Sequence, residues 1–474
     1  MKIIEKLLLL VILIFSIYSC EKHELLTDPS ARLSFSMDTV LFDTVFTTIG
    51  STTRQLKVYN PYKQRINVST IYLATGNNSN FRLNINGIAG SKVDDLEIPA
   101  RDSIYIFIEL TVDPNGINTP MVVQDSIIFI TNGNEQDVDL LAWGQDVHLI
   151  NAEIIKTQTW TNDKPYLIYN SMLVDTGHIL TIEQGTQIYL HRNSSILVYG
   201  TLIVNGTKNE PVVFQGDRLE ELYDDIPGQW GTIALLSGSE NNVINYAEIK
   251  NGIAGFQVGE YDDDSNPVLI ISNSKIENMS FTGFYAFGST ISASNSVIAN
   301  CGTMAIALLK GGNYEFYHCT IANYWNYSVR ITPSIVISNY FEYEGNLYVR
   351  DLENAYFGNC IIYGNLESEI GLAYEPEIVS FNYQFDHCLI KVNADSTDIS
   401  DEIFFKSVLI NQDPKFISIE KLDFQLDTLS NAKDKGAIEI GNLFPLDLNQ
   451  NSRIDDEAPD LGAYERIESN KKKN

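Results

Sequence analysis

Three groups of side chains in this chain are of a type and spacing that could do chemistry. Asp262, Asp263 and Asp264 stand in a row, and Ca²⁺ takes about six to eight oxygen ligands of this kind. Consecutive carboxylates seldom converge on one ion, and the spacing is not that of an EF-hand loop. A solvated, self-repelling loop is the favoured reading, and Ca²⁺ is the only cofactor the chain offers. His318 and His387 are candidate general bases. They share a register with Asn273, Asn295 and Asn359, each one place before a small residue. One polar residue per repeat reads better as a hydrogen-bonded ladder at a corner than as a catalytic set. The third group is aromatic. Residues 324–357 carry Tyr324, Trp325, Tyr327, Tyr340, Phe341, Tyr343 and Tyr348, and residues 374–385 carry Tyr374, Phe381 and Tyr383 beside Glu375 and Glu377. Aromatic faces can stack on sugar rings. Most of these rings are expected to pack their insertions down. Trp325 is the first choice for an exposed platform, with Tyr327, Tyr343 and Tyr374 as further ligand-binding candidates. No catalytic residue is assigned.

What must position these groups is a recurring motif of a small residue, Ile and Asn. It runs through Ala247-x-Ile249-x-Asn251, Ser274-x-Ile276-x-Asn278, Ser296-x-Ile298-x-Asn300 and Cys319-x-Ile321-x-Asn323, with looser copies at Cys360-x-Ile362 and Cys388-x-Ile390. The first positions (247, 274, 296, 319, 360, 388) lie 27, 22, 23, 41 and 28 residues apart. On a strand, residues two apart share a face. Most of these steps suit one turn of a parallel β-helix, in which inward side chains pile into columns. Short strands separated by Gly and Asn, which tolerate positive φ, fit the same picture. From residue 160 to about 410 this makes on the order of ten coils, about 4.8 Å apart.

The opening coils, including Leu180 to Ile188, Ile196 to Thr207, Pro211 to Phe214 and Trp230 to Ile233, resemble right-handed β-helix proteins of the pectin-lyase-like superfold. That superfold includes polysaccharide lyases, and glycoside hydrolases that work with paired carboxylates. The polygalacturonase set Asn-Thr-Asp, Gly-Asp-Asp, Gly-His-Gly and Arg-Ile-Lys is absent. Arg330-Ile331-Thr332 lacks the Lys, and Asp262 to Asp264 lack the preceding Gly. Asp413-Pro414, Asp434-Lys435-Gly436, Asp447-Leu448-Asn449 and Asp460-Leu461-Gly462-Ala463-Tyr464 resemble the C-terminal ends of secreted or surface β-helix proteins. They imply a cap over 410–466 that covers an otherwise open end.

Before the β-helix, residues 33–147 alternate in short strands broken by Asn, Gly and Pro, which predicts an antiparallel β-sandwich. Tyr59-Asn60, Asn80-Phe81, Ile98-Pro99 and Leu140 to Gly144 resemble immunoglobulin-like domains of the ASPM/SPD-2/Hydin type, which imply a spacer or binding module. The fold class is therefore all-β: sandwich, then parallel β-helix over 148–409, then cap, then a Lys-rich tail at 467–474.

Lys2 and Lys6 precede an apolar run from Leu7 to Ile17, too short to be read as a membrane span by itself. Ile17-Tyr18-Ser19-Cys20 resembles the lipobox of bacterial lipoproteins. That implies cleavage after residue 19, acylation of Cys20, and a stable membrane anchor in the cell envelope, at the outer membrane and facing outward. Residues 20–32 then form a polar tether. Loss of Lys2, Glu5 and Lys6 moves the net charge from −29 to −30. So acidic a chain is a poor partner for nucleic acid. A polysaccharide or a surface protein suits it better. Cys301, Cys319, Cys360 and Cys388 could form disulfides in an exported chain. Because three of them take the small-residue position of the repeat, free core thiols are favoured. Ligation of a metal by His318, Cys319, His387 and Cys388 is disfavoured because strand neighbours point opposite ways. Two functions remain. One is a non-catalytic glycan- or protein-binding module, which is favoured; the other is a cell-surface lyase or hydrolase.

Overall fold

The computed structural model describes residues 24–116, 120–375, 379–395, 397–455 and 457–467. Cys20, the export segment and the tail beyond 467 lie outside the described residues. The chain divides into two compact units, Met1–Asp146 and Val147–Asn474. No helix among the described residues is long and apolar enough to cross a membrane.

In the first unit, alternating residues send every second side chain into one core shared by two five-stranded sheets. Ser103–Leu110 shows the pattern plainly, with Ile104, Ile106, Ile108 and Leu110 buried. Pairing is antiparallel except at one edge, where Thr39–Phe46 runs parallel to Asn134–Gln145. Buried Asn60 ties the turn together: its Nδ2 donates to the carbonyls of Gln64, Ile98 and Pro99. From Glu24 onward the expected tether is not free. Leu26 N donates to Arg65 O, Asn132 Nδ2 donates to the carbonyls of Leu26 and Asp28, and Ala31 is buried. Apolar Leu26 and Ala31 dock these residues on the sandwich.

The second unit is a parallel β-helix with three faces. The first face stacks Val212–Gly216, Ala247–Lys250, Lys275–Met279, Val297–Cys301, Thr320–Asn323, Ile361–Gly364, Leu389–Ile390 and Leu409–Ile410 in parallel register. Its inward file is the predicted one: Ile249, Ile276, Ile298, Ile321, Ile362 and Ile390 pair coil to coil. Burial of each contributes about 1.5–3 kcal/mol. The second face stacks Ile233–Leu235, Ala254–Val258, the first part of Thr282–Ser294, the first part of Ile306–Tyr317, Ile335–Ser338 and Ile370–Ala373. The third carries Val268–Ser272, the later parts of the two long strands, Leu352–Gly358, Gln384–Asp386 and Phe405–Lys406. Inside it, Phe316, Phe357, Phe385 and Phe405 stack at ring spacings of 4.9, 5.0 and 5.5 Å.

Corners explain the rest of the motif. Asn273, Asn295, His318, Asn359 and His387 all have φ between 46° and 53°, where Asn is among the few side chains at ease. Asn273 Nδ2 donates to Asn245 Oδ1 (2.8 Å), Asn295 Nδ2 to Asn273 Oδ1 (3.3 Å), and Asn359 Nδ2 meets His318 Nε2 (3.1 Å). The following small residues point inward and close the corner. Ser274 Oγ donates to Ser272 O and accepts from Ala247 N, and Ser296 repeats this with Ser294 O and Ser274 N. Cys360 substitutes a thiol, which accepts from Cys319 N at 3.4 Å. All four cysteines beyond the export segment are free and buried. At the other end of the first face, Asn278 donates to Asn251 (2.7 Å) and Asn300 to Asn278 (2.9 Å).

The stretch after residue 410, expected to cover the open end, folds back along the first face. Phe424, Leu448, Ala463 and Tyr464 pack on Val297, Ala299 and Ala322, and Leu426, Ala432 and Leu461 on Ile361 and Leu389. The outward side chains of the later coils of this face are largely apolar, so a covering strap removes them from water. Arg453 pins it, donating to Glu465 (3.2 Å), Asn295 (3.2 Å) and the Gly462 carbonyl (3.0 Å), wholly buried.

Truncating Phe357 to Ala leaves a cavity in the ring stack, and denaturant titration is expected to show a loss of about 3–5 kcal/mol. Glu277, beside this strap, has its carboxyl pushed up to about 7, first by burial. The folded state therefore holds that proton more tightly than the unfolded chain. Stability is expected to fall as pH rises from the ordinary carboxylate range through 7. Glu277→Gln should flatten that part of the pH–stability profile; an unchanged slope would show that another group causes it.

Candidate functional site

The insertions emerge at the two borders of the second face. Where the first face turns into the second, residues 324–334 leave the rod. Arg330 holds them with two bonds to buried Glu369 (2.7 and 2.6 Å), while Ser334 N and Oγ donate to the same carboxylate. Trp325 lies here, and it is not an exposed platform: it is 6% exposed. Its Nε1 donates to Ser328 Oγ, and its ring sits over Gly302, where a Cβ would meet Cζ2 at 3.2 Å. It packs the insertion onto the rod. Tyr327 is half exposed, its ring 5.1 Å from Trp325 and its hydroxyl on Asp225 O.

Tyr343 lies on the opposite border, in the antiparallel hairpin Tyr340–Tyr343 and Asn346–Val349. Tyr374 leaves the same border one coil further on and is stacked at 5.2 Å on Phe381, apart from Tyr343. The four aromatic candidates thus fall in three separate places. What the structure assembles around Tyr343 is larger than the sequence suggested. Rings follow one another across the second face: Phe281 to Tyr285 (5.8 Å), Tyr285 to Phe287 (5.5 Å), Phe287 to Phe341 (4.9 Å), and then Tyr261, 5.8 Å from Phe341, 4.9 Å from Tyr343 and 5.3 Å from Tyr348. Phe281 (38%) and Tyr343 (44%) are the most open to solvent, while Tyr285 hydrogen-bonds Gln257 Oε1 at 2.9 Å. Phe281, Tyr285 and Phe287 share the outward side of one segment, Phe287 being covered by Phe341 and buried. Read as a two-residue period, that stretch carried the signal, but a hydrophobic alternation is ordinarily read as core.

The acidic loop lies against the same border. Asp264 pairs with Lys310 Nζ at 3.1 Å, Asp263 accepts from Ser265 Oγ, and Asp262 is exposed. The three carboxylates diverge. Among the described residues no group of three or more His, Cys, Asp or Glu side chains is gathered to hold a metal.

His318 is buried within the corner ladder and is pushed well below the ordinary histidine range by that burial and then by Arg453. It is neutral and has no access to a ligand. His387 turns to Asp386 Oδ1 (2.6 Å), whose other oxygen takes Lys406 (2.9 Å) and Tyr356 (3.0 Å).

Sequence reasoning passed over His191. Its Nδ1 meets Asp217 Oδ2 at 2.7 Å, and the Tyr169 ring lies flat on it at 3.9 Å and 9°. Asp217 is largely buried whereas His191 is 42% exposed. Burial, followed by the Asp217 charge, keeps the Tyr169 hydroxyl protonated. A carboxylate on one ring nitrogen fixes the imidazole and leaves the other nitrogen available as an acceptor. The three residues lie 22 and 26 positions apart, so stacking of consecutive coils is what unites them.

Residues 152–271 match the family described as a pectate-lyase-like β-helix domain, and residues 260–412 the family described as a right-handed β-helix region. No curated protein matches the chain. Among solved structures, a family 123 glycoside hydrolase from Clostridium perfringens is 11% identical, with 25% of this chain and 26% of that chain covered and a TM-score of 0.18. The chain thus spans about a quarter of that structure. The catalytic domain of a GH87 alpha-1,3-glucanase in complex with nigerose is 10% identical over 71% of this chain and 81% of that one, with a TM-score of 0.20. Superpositions this loose carry no argument. From its family matches and its stacked coils, the second unit is a right-handed, pectate-lyase-like parallel β-helix.

Proposed function

We propose that this chain is a lipid-anchored surface protein of the bacterial cell envelope that presents its β-helix as a rigid, non-catalytic glycan-binding module. The N-terminal sandwich, which resembles immunoglobulin-like domains, serves as the spacer. Cys20 would carry the anchor, and the outer membrane is the setting the export signal suits. The observation that carries the binding reading is the run of rings from Phe281 to Tyr343, open to solvent at its two ends and packed down by buried Phe287 between them. Sugar rings present flat C–H faces, and a row of side chains held rigid by stacked strands meets them with little loss of conformational freedom. A glycan array probed with the full chain should give discrete positives. Phe281→Ala and Tyr343→Ala should each weaken the best ligand about tenfold, or about 1.4 kcal/mol. Affinity unchanged in both variants would overturn this assignment.

The alternative, a cell-surface polysaccharide lyase or glycoside hydrolase, is favoured by the Asp217-oriented His191. A base aligned by a carboxylate is one half of what proton abstraction requires. If the chain cleaves polymer, His191→Gln is expected to abolish turnover while leaving glycan affinity intact, with reducing ends or unsaturated uronate absorbance as the readout. Turnover that survives the substitution would exclude this site.

A further inference from the structure

The carboxylates around the ring tier bear on which glycan it takes. Asp262 and Glu344 are exposed, and among the described residues neither forms an ion pair. Asp262 and Glu344 lie close enough to the tier to hold the Tyr261 hydroxyl protonated, after burial as the first cause. Two cations reach the same border, and both are committed to holding the acidic loop. Lys310 is buried and donates to Asp263 O (2.8 Å) and to Asp264 Oδ1 (3.1 Å). Arg350 donates to Gly288 O (2.5 Å) and Ser265 O (3.2 Å). Lys310 is matched by Asp264, and Arg350 is held by carbonyls away from Asp262 and Glu344, which keep no paired cation. An aromatic surface under an uncompensated negative rim attracts ammonium groups, by charge and by the ring faces themselves, and repels uronates.

Resting on the reading of the tier as a glycan surface, we propose that its ligand class is a polymer of amino sugars with free amines, selected over N-acetylated and uronate-bearing chains. The charged rim sets the preference and the rings supply the contact common to all three classes.

Isothermal titration of the full chain with hexamers of glucosamine, N-acetylglucosamine and galacturonate tests this. The glucosamine hexamer should bind about tenfold more tightly than its N-acetylated counterpart, an advantage that shrinks as salt screens the rim. Galacturonate should bind weakest. The double variant Asp262→Asn/Glu344→Gln should remove the advantage and leave the N-acetylglucosamine Kd unchanged. Equal affinity for the two glucosamine-based hexamers, or tighter binding of galacturonate, would overturn the charge selection and leave the glycan reading standing. No binding of any hexamer would overturn both.

Discussion

Stacking a parallel coil on its neighbour is permitted only if each corner leaves its backbone polar groups paired in the same way as the corner below. In this protein that condition is met by a left-handed residue, held by a side-chain ladder, followed by an inward hydroxyl or thiol. The hydroxyl of Ser274 or Ser296 accepts one N–H and donates to one carbonyl, so a group that would be orphaned in the core is satisfied from inside. Once the corners repeat, the Ile and Phe files follow without further instruction, because identical registers place identical side chains one above another.

Repetition of this kind makes the rod indifferent to what leaves it. The 41-residue step between Cys319 and Cys360 inserts a Trp-anchored loop, whose Arg330 pairs with Glu369 of the next coil, and a hairpin without disturbing the register on either side. The same rigidity turns loops from distant sequence into neighbours. Tyr261 and Tyr343 come from two separate excursions and Tyr285 from a strand of the rod, yet their rings belong to one surface.

One flank of the rod is not self-sufficient. Among the outward residues of the first face are Val297, Ala299, Ala322, Ile361 and Leu389, and the polypeptide beyond residue 410 returns to cover them, pinned by buried Arg453. An interior guanidinium with carboxylate and carbonyl partners is costly to break, although not by that fact stabilising over an apolar substitute. It acts as a register pin that lets a strap with little regular secondary structure find one position.

By itself the sequence determined the coil, because a small residue, Ile and Asn recurring at nearly constant steps states both the strand period and the corner chemistry. It also determined the alternating sandwich, the free thiols and the divergence of adjacent His and Cys. Tertiary structure alone decided exposure and company. Trp325 went under its own insertion because Gly302 left room for the ring. Phe281 and Tyr285 came outward, and Phe287 beside them went under Phe341, where alternation alone cannot tell which face meets water. Tyr169, His191 and Asp217 met only because consecutive coils bring residues some two dozen positions apart to within a strand spacing. Local pattern specifies how a coil is made; what lies beside it depends on the number of residues in each turn, which no short window of sequence contains.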